Sequence, residues 1–346
     1  MKKLIATITT LVIGMSIAVT AFASNENTMH SGDLNAAKMS KTEIVQLLQD
    51  NPLELPTDIF TVAPDWRNDI PGTVIDAALQ AATNRLNIMR ALAGVPAVTL
   101  DHSLSENAQY GADLCAELGY TTHYPSGPAD MSDSFYEQAC EATKTSNLYG
   151  GQTLTTAVDG FMNDPGLSNL EKMGHRRWQL SPLMGKVGFG YAENHDGKGY
   201  VTEKVLDKSG EGCDYDFISW PASGNFPGDL TAFGKNTPWH ISLNSDKYQI
   251  PDQSLITVTL TRHSDGKVWK FSGMNWTACE SGAYFNVDTN NRGINNAIIF
   301  RPDGITEYAG VYTVTVTGLK TASGADVNNF TYQVDFFDTK SYYDKI

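Results

Sequence analysis

The chain has 346 residues, 41% of them hydrophobic, and carries 25 Lys+Arg against 39 Asp+Glu for a formal net charge of −14. So acidic a surface repels phosphate backbones, which argues against nucleic acid as a partner, and Arg176-Arg177 is too small a pair to form a basic patch. The length suits two domains plus an extension.

Lys2 and Lys3 precede an apolar run from Leu4 to Thr20, and Ala21-Phe22-Ala23 has the small-x-small form of a cleavage site. Thr7, Thr9, Thr10 and Ser16 interrupt the run and no basic residue follows it closely, so residues 1–23 read as a signal peptide and not as a membrane span. No second long apolar run occurs, and the expected product is exported, with 23 basic against 39 acidic residues once the two lysines leave. Export permits disulfides, and four cysteines are an even number. Nearness along the chain favours Cys115 with Cys140, buried free thiols being the alternative.

Residues 24–72 form an extension or linker. It is polar at first, then offers one short amphipathic helix over Lys41 to Gln49, ended by Asn51-Pro52. Pro56, Pro64 and Pro71 keep the remainder extended, and nothing in it signals a site.

Residues 73–212 change character. Val74, Ala78, Ala81, Ala82, Leu86, Met89 and Leu92 recur at helical spacing until Gly94 and Pro96 stop the run. Leu104, Ala108, Gly111, Ala112 and Cys115 mark a second helix, with Ser103 and Glu106 in capping-box spacing. Ser132 to Ala142 and Leu154 to Met162 are further helices, and "KVGFGYA" and "GYVTEKVL" are strands joined by a turn over Asn194 to Gly197. Helices with a few strands, not in regular alternation, predict an α/β/α layered domain.

Residues 213–346 switch to short alternating runs such as "LITVTLTR", "GVYTVTVTGL" and "FTYQVDFF", the pattern of a β-sandwich. "YAGVYTVTVTGL" resembles the strand and tyrosine that close an immunoglobulin-like sandwich. The segment "ISWPASGNFP", 218–227, is the junction, with Trp220 and its prolines packing one domain on the other. The predicted fold class is therefore α+β: a three-layer α/β/α sandwich followed by an all-β sandwich.

Among the histidines, His30, His102, His195, His240 and His263 read as solvated or structural. His123 in "TTHYPSG" and His175 in "MGHRRW" differ, because each ends a helical segment of the same domain. Two imidazoles brought together can bind a divalent ion, yet zinc wants three or four protein ligands. No G-x-S-x-G elbow, H-E-x-x-H helix or calcium loop occurs.

The run "NRLNIMRALAGVPAVTLDHSLSENAQYGA" resembles the opening of the CAP superfamily, which covers cysteine-rich secretory, antigen-five and pathogenesis-related-one proteins. The later run "SNLYGGQTLTTAVDGFMNDPGLSNLEKMGHRRWQLSPLMGKVGFGYA" looks like its bacterial secreted branch, and the resemblance covers about residues 75–206. It implies an α/β/α sandwich with a central cleft where two histidines and two glutamates can hold zinc or another divalent cation. His123 and His175 match the histidines. The glutamates do not carry over: Ser146-Asn147-Leu148 stands where many members have Glu-Asn-Ile or Glu-Asn-Leu, and Asp164 ends the run where others have Trp-x-x-Glu.

His123, His175 and Asp164 are thus the implied metal ligands, with Ser146, Asn147, Glu171 and Arg176 as cleft-lining residues. Three ligands and a water would make an open, hydrolytic site, but no second carboxylate offers an obvious general base, and Glu171 reads better as a solvated helix residue. For Arg176 and Arg177 an anion-binding role competes with a purely structural one. Two functions stay open: an extracellular binding or adhesion module for a lipid or sterol, glycan or protein ligand, which the thinned carboxylate set favours, and a metal-dependent hydrolase in the same cleft.

Overall fold

The computed structural model describes residues 39–328 and 330–344. The expected signal peptide, His30 and the start of the extension lie outside the described residues. Ser40 accepts from the Glu43 N–H while Glu43 accepts from the Ser40 N–H, a reciprocal cap that starts α1 (Lys41–Asp50). The apolar face of α1, Ile44 and Val45, packs on Phe337 near the other end of the chain. The extension continues as β1 (Phe60–Val62), a single 3-10 turn at Trp66–Asn68, and β2 (Thr73–Val74), which pairs antiparallel with β1.

Six helices, one of them a single turn, and a four-stranded sheet follow. α2 (Asp76–Ala93) stops at Gly94, whose φ of 71° is the left-handed conformation glycine takes without cost. β3 (Thr99–Leu100) leads to α3 (His102–Leu118), capped by Asp101 through the Leu104 N–H. The expected capping box at Ser103 is thus displaced: Asp101 is an equally good cap and already leaves the β3 edge, so the helix starts two residues earlier. Next come α4 (Asp133–Lys144), β4 (Ser146–Gly150), α5 (Leu154–Asn163), the single turn α6 (Leu167–Leu170), α7 (Gly174–Gln179), β5 (Lys186–Glu193) and β6 (Gly199–Lys204). The sheet order is β3-β5-β6-β4, parallel only between β3 and β5.

Alternation along β5 builds the layers. Gly188 and Gly190 face α3 so closely that a Cβ would lie 2.4 Å from Leu104 backbone and 2.5 Å from Ala108 backbone. Val187, Phe189 and Tyr191 point the other way, into the core shared with Leu86 of α2 and Phe161 of α5. Helices on both faces of one sheet make the three-layer arrangement.

From β7 (Phe217–Trp220) and β8 (Gly224–Pro227) onward the chain is almost all strand: β9 (Trp239–Leu243), β10 (Thr257–Arg262), β11 (Val268–Ser272), β12 (Tyr284–Asp288), β13 (Ala297–Arg301), β14 (Gly310–Thr317), β15 (Phe330–Phe337) and the short α8 (Thr339–Tyr343). They form two sheets, β11-β10-β14-β15-β8 and β12-β13-β9-β7, antiparallel except for β15 beside β8. Val258, Leu260, Val314 and Val316 turn inward at every second position, as a sandwich requires. One apolar core runs without a break from α2 and α5 through Trp220 and Phe226 to Trp239 and Tyr312.

Candidate functional site

The segment between α5 and α7 is bracketed by two non-glycine residues in the left-handed region, Asp164 at φ 48° and Met173 at φ 48°. Asp tolerates that conformation because its short side chain can bond locally; Met has no such compensation. The bend has a clear consequence. Asp164, 1% exposed, accepts the backbone N–H of His175 at 3.1 Å through one carboxylate oxygen and meets its ring Nδ1 at 2.9 Å through the other. The ring also packs on Phe161, centroids 5.3 Å apart.

A second set of polar groups stands on the sheet beneath. Asn147 of β4 lies opposite Glu203 of β6 in the register, and its Nδ2 donates to Glu203 at 3.0 Å and to the carbonyl of His175 at 3.3 Å. Gln179, at the end of α7, donates to both Glu203 oxygens at 2.9 and 3.1 Å. His175, Asp164, Asn147, Glu203 and Gln179 thus form one connected network. Burial pushes the Glu203 carboxyl up to about 7, against the opposing help of Gln179, Asn147, His175 and Arg90. Burial works to lower the His175 imidazole, but Asp164, by charge and hydrogen bond, carries it above its ordinary value.

Glu203 and Gln179 were not among the expected site residues. The available signal was an acid in the middle of "GYVTEKVL", a strand buried at every position. An ionisable group there needs partners, and the partners come from β4 and α7.

The arginines do something else. Arg176, expected to line the cleft, has no exposed surface. Its guanidinium donates to the carbonyls of Met162 at 2.5 Å, Asn163 at 3.3 Å and Pro238 at 2.8 Å, and approaches His240 Nδ1 at 3.4 Å. Arg177 is equally buried and donates to Asp288 at 2.5 Å and to the carbonyls of Lys172, Asn290 and Ile294. Both therefore bolt α7 to the β-sandwich. Burial, with the charges of Arg176 and Arg177, drives His240 well below its ordinary value, so it sits neutral between them. Gly174 belongs to the same junction, since a Cβ there would come within 3.1 Å of the Arg292 side chain.

The remaining expected residues fall elsewhere. Strand alternation puts Ser146 on the sheet face opposite to Asn147, beside Lys204, whose Nζ is bonded to Asn107 and Thr145 under α3 and α4. The Ser146 hydroxyl is buried without a partner. Glu171 is an exposed residue whose carbonyl accepts from Asn286. His123 is exposed and places Nδ1 2.8 Å from the carbonyl of Thr143, in the last turn of α4. Among the described residues no three histidine, cysteine or acidic side chains gather to hold a metal ion. His123 therefore does not complete the His175–Asp164 pair, and both oxygens of Asp164 already serve His175. The residues present do not fit a zinc site.

All four cysteines are free thiols, which corrects the expected Cys115–Cys140 bridge. Cys115 points into the cluster of Ala112, Ala116, Ala192 and Tyr200, so packing on β5 and β6 takes the side chain that a bridge to α4 would have needed.

Beside Asp164 a cavity of about 410 Å³ opens between α5–α6 and the sandwich, lined among others by Tyr149, Asp164, Lys235, Thr237, Glu280 and Arg301. Arg301 is tied to the carbonyls of Cys279 and Gly282, whereas Lys235 and Glu280 are exposed and make no side-chain hydrogen bond or ion pair among the described residues. No helix of the described residues is long and apolar enough to cross a membrane.

Residues 83–204 match the model of the CAP family, the cysteine-rich secretory protein family. The matched stretch runs from the middle of α2 to the end of β6 and includes His123, Asp164, His175 and Glu203. No curated protein matches the chain.

Proposed function

We propose that the chain is an exported binding module, of the bacterial secreted branch of the CAP superfamily, with the β-sandwich of immunoglobulin-like kind. Its ligand occupies the cavity between the CAP-matched block and the sandwich. One observation carries this reading. The groups that chemistry would require are already committed to structure: Asp164 to His175, Glu203 to Asn147 and Gln179, and both arginines to carbonyls and Asp288. The neighbouring cavity, by contrast, keeps Lys235 and Glu280 free at its mouth. Its walls set a tyrosine ring, two leucines and two prolines beside amide, hydroxyl and charged groups. That pairing of an apolar face with polar groups and free charges suits a sugar ring bearing hydroxyls, as on a surface glycan, better than a sterol or acyl chain, which offers the charges nothing. For the metal-dependent hydrolase, no cluster of three metal-ligating side chains is found among the described residues.

The test is a glycan array and vesicle sedimentation run in parallel on the wild type and a Lys235→Ala, Glu280→Ala double variant. Retention on glycans, weakened about tenfold or more in the variant, is expected, that being roughly one or two lost polar contacts. Peptide or nucleic-acid turnover that requires added zinc and vanishes in His175→Ala would overturn the proposal.

A further inference from the structure

Where the extension crosses α3, a second cavity of about 340 Å³ opens, walled by Phe60, Asp65, Trp66, Asp113, Glu117 and Glu193 among others. Five of its eleven lining residues come from 60–67, outside the CAP-matched stretch. Its floor holds an anomaly. Asp113 is 5% exposed, yet its Oδ2 has no hydrogen-bond partner among the described residues. A buried carboxylate without a partner is costly, and native proteins seldom leave one unanswered.

The surroundings deepen the deficit. Burial first, then the charges of Glu117 and Asp65, push the Asp113 carboxyl up to about 7. Glu193 accepts from the Tyr191 hydroxyl at 2.7 Å, a neutral donor that leaves its negative charge in place, whereas Glu117 accepts from the Trp66 indole at 3.0 Å and is also paired with Arg67. Arg67, also in the wall, has a side chain 63% exposed that lies 4.1 Å over the Trp66 ring and 3.6 Å from Glu117. Its stacked guanidinium shows that this surface already accepts an organic cation at its rim, while Asp113 below stays unmatched.

We infer that this cavity binds an organic cation, an alkylammonium or guanidinium group, with its charged end on Asp113 flanked by Glu117, Glu193 and Asp65. A divalent metal fits less well, because no three of these acids stand close enough together to hold an ion. The apolar stem of such a cation lies against Phe60, Pro64 and Ala116, and the volume falls in the ~300–1,000 Å³ range of small-molecule sites. The same chemistry can come from a free polyamine or from a lysine or arginine side chain of a peptide. This site is separate from the one in the proposed function, and neither depends on the other.

Calorimetric titration of the full-length chain with agmatine and with cadaverine tests the inference. Saturable one-site binding is expected, at least tenfold weaker in Asp113→Asn and likewise in Glu193→Gln, the second variant guarding against misfolding of the first. A blocked Gly-Arg-Gly peptide binding more tightly than agmatine assigns the cation to a basic side chain, and the reverse assigns it to a free amine. No saturable heat with either amine overturns the inference. So does equal binding by wild type and both variants, which would reduce the effect to general attraction by an acidic surface, and so does stoichiometric Ca²⁺ that displaces agmatine.

Discussion

Glu203 stands in the middle of a fully buried strand with two amides turned toward its carboxyl, and that placement has a consequence for pH. The folded chain holds the Glu203 proton up to about pH 7, whereas the unfolded chain releases it near 4.5. Between those values the folded state binds more protons, so this residue's contribution makes stability fall as pH rises from 4.5 through 7. The cost levels off at about 3 kcal/mol above that window, taking ~1.4 kcal/mol per unit. Glu203→Gln keeps the shape and offers its amide to the unpartnered Oε1 of Gln179. Urea denaturation at a series of pH values should show the variant's stability rising relative to wild type by most of that amount between pH 4.5 and 7.5. A difference that does not change with pH would show that Glu203 titrates no differently in the folded and unfolded chain. His123 and His175 stood out because each follows a helix-like run in the sequence, although the structure puts His123 in the loop between α3 and α4 and His175 in the first turn of α7. Glu203 did not, because its meaning comes from Asn147 and Gln179, which no local pattern connects to it.

At the scale of elements, β5 and α3 depend on two glycines that touch helix backbone. In Gly190→Ala the new methyl would meet the Ala108 carbonyl carbon and oxygen at 2.5 Å, and backbone on both sides leaves nothing flexible to give way. Overpacking of this kind costs roughly 1–3 kcal/mol, and the upper end is expected here because a whole helix must lift. Thermal unfolding reads it, and an unchanged midpoint would contradict the close packing of these layers. The alternation in "KVGFGYA" announced a strand; that its glycines serve as a seat for α3 requires knowing which element lies above. β4 shows the reverse case. "SNLYG" has no apolar period of its own, and becomes a strand by pairing with β6 at the sheet edge.

For the whole molecule, the junction between the CAP-matched block and the sandwich is as well buried as either interior. Arg176, Arg177, Trp220 and Asp288 are all within it, and the apolar core crosses it. Arg177→Met leaves the buried Asp288 with Asn290 and the partly exposed Arg292, 3.3 Å away, as its remaining partners, so the loss is expected near the low end, about 3 kcal/mol, of what breaking a buried pair costs. Guanidinium denaturation should register that loss, with Asp288→Asn in the same background restoring part of it, since the two sites share one interaction. The wild type should unfold in a single calorimetric transition. Two well-separated transitions would mean that the arginine bolts contribute little and that the halves behave as independent domains.

Local information in the chain sufficed for the α+β class, the four longer helices after residue 73, the strand-rich second half and the likeness to the CAP family, because periodicity and short motifs depend only on neighbours along the chain. Tertiary structure alone decided that the two arginines of "GHRRW" face the sandwich, that Ser146 and Asn147 part to opposite sheet faces, that Asp164 spends both oxygens on His175, and that Asp113 lies unmatched under the extension. Each of those outcomes is set by what a side chain meets after residues far apart in sequence have been folded together, and burial then fixes whether a polar group is answered or left in want of a partner.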